Sequence, residues 1–364
     1  MLALPLGAVA QRIGGELTGG DPDQPIDAVA ALEGAGPRAI APLLDEALWG
    51  EAAGSRAGAL LVRRARVGLE RAQIASAEPR RALGLLIELF RPPLVWRRGR
   101  HATAVVDPAA EVAADAYLGA YCVVEAGAQV GRASQIEAGS FLGAGVAIGA
   151  RCRIGPHAVI LADCQLDDDV VVAPGAVVGA AGFGYWRDEG GQWQAVASIG
   201  RVRLERGAEL GANSCVDRAT VGVTRVGPGS KVDNLVQIGH NVQLGRDTLL
   251  CAQVGLAGSV RVEDGAQLGG QVGVGDHLTI GRNARVAGGS GVLRSVPCGT
   301  TVGGYPAIDQ RRWLRNSAIA GRLERLAREV AALRRAAAES ASAAASAGAA
   351  GDYNDKDVTK DADD

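Results

Sequence analysis

Residues 142–160 read LGAGVAIGARCRIGPHAVI, with an aliphatic residue at every sixth position. The same phase starts at Val106 and continues without a miss to Val178. It returns after an interruption, slips by four residues after Val216, and then runs on to Val292. A helix repeats every 3.6 residues and a single strand ends after about six residues, so neither holds such a phase. The sequence therefore predicts a solenoid of many short strands.

Three such hexapeptides close one triangular coil, with the aliphatic residue of each pointing inward. Successive coils stack at about 4.8 Å through parallel strand pairing. Gly often follows the aliphatic residue, as in Ile148-Gly149 and Ile280-Gly281, and we attribute it to backbone conformations that a β-carbon forbids. The phase predicts a mainly β chain built as a parallel β-helix of roughly nine coils. Its hand does not follow from the spacing.

The composition suits such an interior, because 48% of the residues are hydrophobic and only 4% are aromatic. A net charge of −2 disfavours a nucleic-acid binder, which would carry a basic stripe. The six cysteines show no C-x-x-C spacing, so neither a zinc ribbon nor a redox motif is indicated. We find no secretory leader and no run of about 20 apolar residues. We therefore expect a cytoplasmic protein without a transmembrane segment.

The chain outside the solenoid divides into three parts. Residues 1–100 lack the six-residue phase and are expected to form a small α/β domain, and the solenoid domain spans 101–306 with an inserted loop at 180–198. Residues 307–337 are expected to form helices with a short heptad seam, which needs partners. The segment 311–335 carries eight Arg against two Glu, a cationic face that suits an acidic protein. The Ala/Ser-rich and Asp-rich tail, 338–364, is expected to be disordered.

The chain has four His residues, and His240 lies in a dense polar run, residues 231–241, inside a hydrophobic repeat. Gly258 follows by three hexapeptides and should stack one coil away, while His277 stands beside the position two coils away. An imidazole next to a residue without a side chain can take a proton from an attacking amine, and a backbone N–H can stabilise the oxyanion. No G-x-S-x-G elbow is present. We infer direct attack without a covalent intermediate.

Six further stretches of the sequence can be compared with known families: the Gly14-to-Leu17 stretch, the Arg56-to-Val62 run, the Gly182-Phe183-Gly184-Tyr185 loop, residues 211–218, the Asp233-to-Asn241 run and Ala257-Gly258-Ser259. Together they resemble the UDP-3-O-acylglucosamine N-acyltransferases of lipid A biosynthesis. The resemblance implies a left-handed β-helix from a Gram-negative-type bacterium, a homotrimer, and transfer of a 3-hydroxyacyl chain from the phosphopantetheine of acyl carrier protein to the UDP-sugar lipid acceptor. It implies no metal and no covalently bound cofactor.

Within that family pattern, His240 would be the general base oriented by Asp233, with Gly258 supplying the oxyanion N–H and His277 assisting. Substrate contacts are expected from residues at Leu43, Glu46, Trp49, Phe183, Tyr185, Asn234, Gln237 and Asn241. The first three replace a Phe-x-x-Asn-x-x-Tyr pattern that the family commonly carries in its uridine-binding domain, and Ala181 stands where an Asp is usual.

Three other functions fit parts of the sequence. A hexapeptide N-acyltransferase could use an acyl-CoA and another UDP- or dTDP-amino sugar, and the changes at 43, 46 and 49 favour it slightly. A β-helical zinc carbonic anhydrase needs three converging His ligands, and the gap between His240 and His277 offers no close pair. A purely structural solenoid does not explain the polar run at His240.

Overall fold

The computed structural model describes residues 3–69, 71–304 and 310–351. The chain divides into two compact units, the first ending at Trp96 and the second beginning at Arg97. The expected boundary at residue 100 is therefore slightly late. The reason is that Gly99–Arg100 already pairs in parallel with Tyr117–Leu118 as the first strand of the solenoid.

The first unit is a small α/β domain. A five-stranded sheet is ordered Glu16–Thr18, Ala72–Ala75, Ala59–Val62, Ala39–Leu43 and Ala28–Val29. Only its first pair is antiparallel, and a two-stranded ribbon joins Leu4–Pro5 to Pro25–Ile26. The helices are α1 (Leu6–Arg12), α2 (Trp49–Gly54) and α3 (Pro79–Phe90), with a 3-10 turn at Glu46–Leu48.

The second unit contains the solenoid, whose strands form three parallel sheets, here called faces 1, 2 and 3. Face 1 has eleven strands: Gly99–Arg100, Tyr117–Leu118, Gln135–Ile136, Arg153–Ile154, Val171–Val172, Glu209–Leu210, Lys231–Val232, Leu249–Leu250, Gln267–Leu268, Arg285–Val286 and Thr301–Val302. Face 2 has ten: Val105–Val106, Val123–Val124, Phe141–Leu142, Val159–Ile160, Val177–Ala180, Cys215–Asp217, Gln237–Ile238, Gly255–Leu256, Gly273–Val274 and Gly291–Val292. Face 3 has nine: Glu111–Val112, Gln129–Val130, Ala147–Ile148, Gln165–Leu166, Arg201–Leu204, Val223–Val226, Gln243–Leu244, Arg261–Val262 and Thr279–Ile280. This makes about ten coils.

From Leu118 to Val292, the aliphatic residue of each hexapeptide is buried in one continuous core along the solenoid. Leu142, Ile154 and Ile160 are each 0% exposed. Strand partners are three hexapeptides apart in the regular coils, as in Leu142 with Ile160. Because the coil interior is filled by side chains that stack on their equivalents, the six-residue phase and the core are the same feature.

The glycines that follow the aliphatic residues have a different cause from the expected one. Gly149 has no positive φ, and a Cβ there would lie 2.6 Å from the backbone carbonyl carbon of Asp167 in the next coil. Close approach of stacked coils therefore selects Gly at this position. The left-handed backbone occurs instead within the corner turns, for example at Gly145 (φ 67°) and Asn241 (φ 63°).

Two insertions break the coils, and both follow strands of face 2. The first, between Ala180 and Arg201, contains the antiparallel hairpin Tyr185–Arg187 with Trp193–Ala195. The second lies between Asp217 and Val223 and accounts for the four-residue slip.

Two helices follow the solenoid, α4 (Gln310–Ala320) and α5 (Leu323–Gly351). The expected helices are present, but α5 continues through 338–351, where disorder was expected. Alanine has the highest helix propensity, so the Ala-rich run prolongs the helix. Residues 352–364 lie outside the described residues. Among the helices that the structure describes, none combines the length and apolar character of a membrane span.

Candidate active site at a corner of the solenoid

His240 lies in the turn that leads from face 2 to face 3, directly after the strand Gln237–Ile238. The side chain is half-buried at the surface. The two insertions come from the preceding coils on this side of the solenoid, and Gly182, at the start of the first, approaches the imidazole. A Cβ at position 182 would lie 2.7 Å from His240 Cβ and 3.0 Å from Cδ2. A glycine is therefore needed here for the inserted loop to cover the histidine.

Gly258 approaches the other end of the ring from one coil further along. A Cβ on Gly258 would lie 2.6 Å from both Cε1 and Nε2 of His240. The backbone N–H of Ser259 donates to the His240 carbonyl at 2.8 Å, which fixes the stacking of these two turns. The Gly258 N–H has no acceptor among the described residues. The predicted stacking of Gly258 and His240 is confirmed, with a free amide next to the imidazole.

Asn241 contacts the remaining ring nitrogen. Its Oδ1 lies 3.3 Å from His240 Nδ1. The same Oδ1 accepts the Thr220 N–H at 3.0 Å, and Nδ2 donates to the Val221 carbonyl at 2.9 Å. The backbone N–H of Asn241 donates to Thr224 Oγ1 at 2.8 Å. The second insertion therefore holds the Asn241 amide in one orientation beside the imidazole.

A buried carboxylate, Asp217, lies in the coil that precedes His240. It is 7% exposed and accepts a hydrogen bond from Gln237 Nε2 at 3.0 Å and from the Cys215 thiol at 3.7 Å. Burial raises the pKa of Asp217 above its usual value, while the bonds from Gln237 and Cys215 and the nearby His240 oppose that rise. Burial and the adjacent carboxylate raise the pKa of Cys215 to about 11, so this thiol stays protonated.

The first insertion presents aromatic side chains to solvent. Phe183 is 84% exposed and Tyr185 is 50% exposed, and their rings meet edge to face at 4.9 Å. Together with Gly184 and Trp193 they line an open hollow of about 520 Å³. The base of the insertion is closed by a hydrogen bond from the Gly182 N–H to Ser198 Oγ at 3.3 Å. An exposed apolar surface thus begins one residue from the glycine that covers His240.

Two of the predicted site residues lie away from His240 in this chain. Asp233 precedes the face-2 strand Gln237–Ile238 whereas His240 follows it, so the two residues occupy different corners. The Asp233 carboxylate accepts the Asn234 N–H at 2.7 Å, and Asn234 Oδ1 accepts the Ala212 N–H at 2.7 Å. The carboxylate near His240 within this chain is Asp217, and an orienting role for Asp233 stays a prediction.

His277 occupies the expected corner two coils from His240, which corresponds to about 10 Å along the solenoid. Its backbone N–H donates to the Gly258 carbonyl at 3.1 Å, and its side chain is exposed. It stands one residue past the His240 position, in the left-handed conformation with φ 58°. His277 and Gly258 therefore extend the His240 corner as one column.

The predicted nucleotide contacts belong to the first unit. Leu43 ends a central strand and is 4% exposed, so its side chain packs in that domain's core and is removed from the surface. Glu46 begins the 3-10 turn at Glu46–Leu48. Trp49 is half-buried, and the Arg66 guanidinium lies 5.4 Å from its ring centroid. Of these three, Trp49 has an aromatic surface that a planar base could contact.

The arrangement at His240 brings together an imidazole, a backbone N–H without an acceptor among the described residues and an adjacent apolar surface. These are the parts that transfer of an acyl group to an amine requires. Asp217 and Gly182 were not selected as site residues from the sequence. Their signal is the break in the six-residue phase, because Asp217 ends the last strand before the slip and Gly182 lies at the start of the first interruption.

Comparison with known proteins agrees with the fold. The family model described as bacterial transferase hexapeptide (six repeats) matches residues 127–162 and 145–180. A crystal structure of an Arabidopsis UDP-N-acetylglucosamine acyltransferase superposes with a TM-score of 0.50 at 22% identity, covering 56% of this chain and 70% of that one. The shared feature is the fold, a left-handed parallel β-helix.

Two curated relatives match nearly the whole chain. UDP-3-O-acylglucosamine N-acyltransferase 1 of Koribacter versatilis is 47% identical over 89% of this chain and 97% of its own length. UDP-3-O-acylglucosamine N-acyltransferase of Oleidesulfovibrio alaskensis is 46% identical over 90% of this chain and 96% of its own. With the solenoid and the His240 corner, these similarities show that the chain belongs to the UDP-3-O-acylglucosamine N-acyltransferase family of acyltransferases.

Proposed function

We propose that this protein transfers a 3-hydroxyacyl chain from acyl carrier protein to the 2-amine of UDP-3-O-acylglucosamine in lipid A biosynthesis. The observation that carries the proposal is the stacking of Gly258 against His240. It places an imidazole Nε2 and a free backbone N–H in one corner. The acceptor and the pathway follow from the names of relatives that match nearly the whole chain.

The reaction uses His240 as the general base. The acceptor amine attacks the thioester carbonyl carbon, a C–N bond forms, and His240 Nε2 takes the proton that the nitrogen loses. The carbonyl oxygen becomes an oxyanion, and the free N–H of Gly258 stabilises it. The tetrahedral intermediate then expels the phosphopantetheine sulfur, which takes a proton from the imidazolium and leaves as a thiol. The products are an amide and a free carrier thiol, and His240 returns to its neutral form.

The aromatic hollow of the first insertion is proposed to bind the acyl chains. Phe183, Tyr185 and Trp193 are exposed, and large exposed apolar surfaces mark binding sites. Trp49 is proposed to stack on the uracil, since its neighbour Arg66 supplies a cation beside the same ring.

Carrier recognition and assembly are proposed for the C-terminal helices. The segment 311–335 carries eight Arg against two Glu, and acyl carrier proteins are acidic, so the charges are complementary. The heptad residues are each more than 40% exposed in the single chain: Ile319, Leu323, Leu326, Val330 and Leu333. We propose that these residues pack against other copies in a homotrimer. A cytoplasmic location, where the carrier occurs, is part of the same proposal.

The test is a donor and acceptor matrix with the purified full chain. Acyl carrier protein thioester and acyl-CoA are each paired with UDP-3-O-acylglucosamine and with UDP-glucosamine that lacks the 3-O-acyl chain. The proposal expects the highest kcat/KM for the carrier thioester with the acylated acceptor. Equal rates with both donors, or no preference for the acylated acceptor, would refute the stated specificity. Analytical ultracentrifugation of the wild type and of Leu326→Glu tests the trimer, which the charge should dissociate.

A further inference from the structure

A second feature of the His240 corner concerns the imidazole proton. A neutral histidine has one protonated and one free ring nitrogen, and only the free nitrogen can act as a base. Which nitrogen carries the proton is set by the hydrogen bond that the other ring nitrogen makes. Here Nε2 lies beside Gly258, and Nδ1 lies 3.3 Å from Asn241 Oδ1.

The orientation of the Asn241 amide is determined by the backbone around it. Oδ1 faces the Thr220 N–H, a donor, and Nδ2 faces the Val221 carbonyl, an acceptor. Exchanging the two atoms would place a donor against a donor and an oxygen against an oxygen. An amide oxygen has two lone pairs, so Asn241 Oδ1 can accept a second hydrogen bond besides the one from Thr220. The atom that Asn241 presents to His240 Nδ1 is therefore an acceptor.

We propose that Asn241 is the positioning residue that holds His240 in its Nδ1–H form, leaving the Nε2 lone pair at Gly258 free to act as the base. Asn241 then acts through His240 and not on the substrate, which revises the expectation that it binds substrate. The inference rests on the proposed function for its kinetic consequence, but the position of the ring proton is independent of it.

The backbone supports the same role. Asn241 has φ 63°, a left-handed conformation in which Asn is enriched among non-glycine residues. Its two amide bonds reach Thr220 and Val221 of the second insertion, and its backbone N–H bond reaches Thr224 in the strand that follows. The four-residue slip in the repeat therefore supplies the groups that orient Asn241. The titratable group that faces the ring from the preceding coil is Asp217, and Gly182 and Gly258 add no charge.

The test compares Asn241→Ala with Asn241→Asp. Asn241→Ala removes the acceptor and should lower kcat by about 10- to 100-fold, the scale of the loss when a histidine that binds a metal loses the group that orients its ring. Asn241→Asp keeps an acceptor and adds a negative charge, so it should recover most of kcat at high pH. Because the charge favours the imidazolium, it should move the acidic limb of the kcat/KM profile up by about one pH unit or more. Asn283, another corner asparagine with φ 55°, is the matched control, and Asn283→Ala and Asn283→Asp should leave kcat and the limb unchanged.

The ring proton is measured separately in the full chain labelled with ¹⁵N-histidine, using His240→Gln to assign the signal. The wild type should show a protonated Nδ1 and an unprotonated Nε2, and Asn241→Ala should shift the ring toward the Nε2–H form. A wild-type Nε2–H tautomer overturns the inference whether or not the protein transfers acyl groups. An acidic limb that does not move in Asn241→Asp would also overturn the inference. A kcat equal to that of the wild type in Asn241→Ala would do the same. Loss of thermal stability with an unmoved tautomer would assign Asn241 a structural role only.

Discussion

Gly258→Ala changes the proposed base without removing it. Gly258 does not have a positive φ, so alanine fits its backbone. The added methyl would lie 2.6 Å from His240 Cε1 and Nε2, whereas an ordinary contact is 3.4–4 Å. The ring must therefore move by about 1 Å. Displacements of that size cost on the order of 10²-fold in rate, which is about 2.7 kcal/mol of transition-state stabilisation.

The assay is kcat for N-acyl transfer under saturating donor and acceptor, with thermal unfolding measured in parallel. Gly270→Ala is the matched control, because Gly270 holds the same turn position at another corner. A Cβ there would meet only the Ala252 carbonyl oxygen, at 3.4 Å. We expect the control to keep its rate and Gly258→Ala to keep its melting temperature. Equal, near wild-type rates for both variants would refute the argument that Gly258 is kept small to accommodate His240.

Three further predictions concern stability and substrate binding. Ile154→Ala should lower the free energy of unfolding by about 2–5 kcal/mol in chemical denaturation. Val105 is 62% exposed, so Val105→Ala should change the free energy of unfolding by less than about 0.5 kcal/mol. Equal losses in the two variants would contradict the assigned core. Burial raises the pKa of Asp217, so its protonated form stabilises the fold below the ordinary Asp pKa and that contribution is lost as pH rises through the raised value. The melting temperature of Asp217→Asn should therefore rise relative to that of the wild type as pH increases toward 7. If this difference in melting temperature fell instead, the pKa of Asp217 would be lowered and not raised. Phe183→Ala should raise KM for the acylated acceptor about tenfold with a smaller change in kcat, and an unchanged KM would remove the insertion from the acceptor site.

The sequence predicts the solenoid because its core repeats with a fixed period. Each inward residue, such as Ile154, packs on the equivalent residue one coil away, so local pattern and long-range contact coincide. The stacking of Gly258 on His240 could be predicted for the same reason. The role of Gly149 could not, because its absent side chain reflects the distance between coils and not its own dihedral angles.

The surroundings of His240 are predicted less well, because they come from the insertions. Counting in whole coils says nothing about where the segments 180–198 and 217–223 fold back. The structure shows that Gly182 covers the ring and that Thr220 and Val221 orient Asn241. The family pattern makes Asp233 the partner of His240. In this chain the two residues are seven positions apart, on opposite sides of one strand, and therefore lie at different corners of the coil. The six-residue period thus predicts the stacking of His240, Gly258 and His277. The residues that surround the His240 ring come from the interruptions of that period.

The most direct test of the account is transfer activity in His240→Ala. The purified full chain is supplied with acyl carrier protein thioester and UDP-3-O-acylglucosamine, and the N-acylated product is quantified by mass spectrometry. Loss of a general base lowers rates by about 10²–10⁴-fold, so the account predicts efficient transfer by the wild type and a loss of that size in His240→Ala with an unchanged melting temperature. A wild-type chain that forms no N-acylated product, or a variant that retains the wild-type rate, would contradict it.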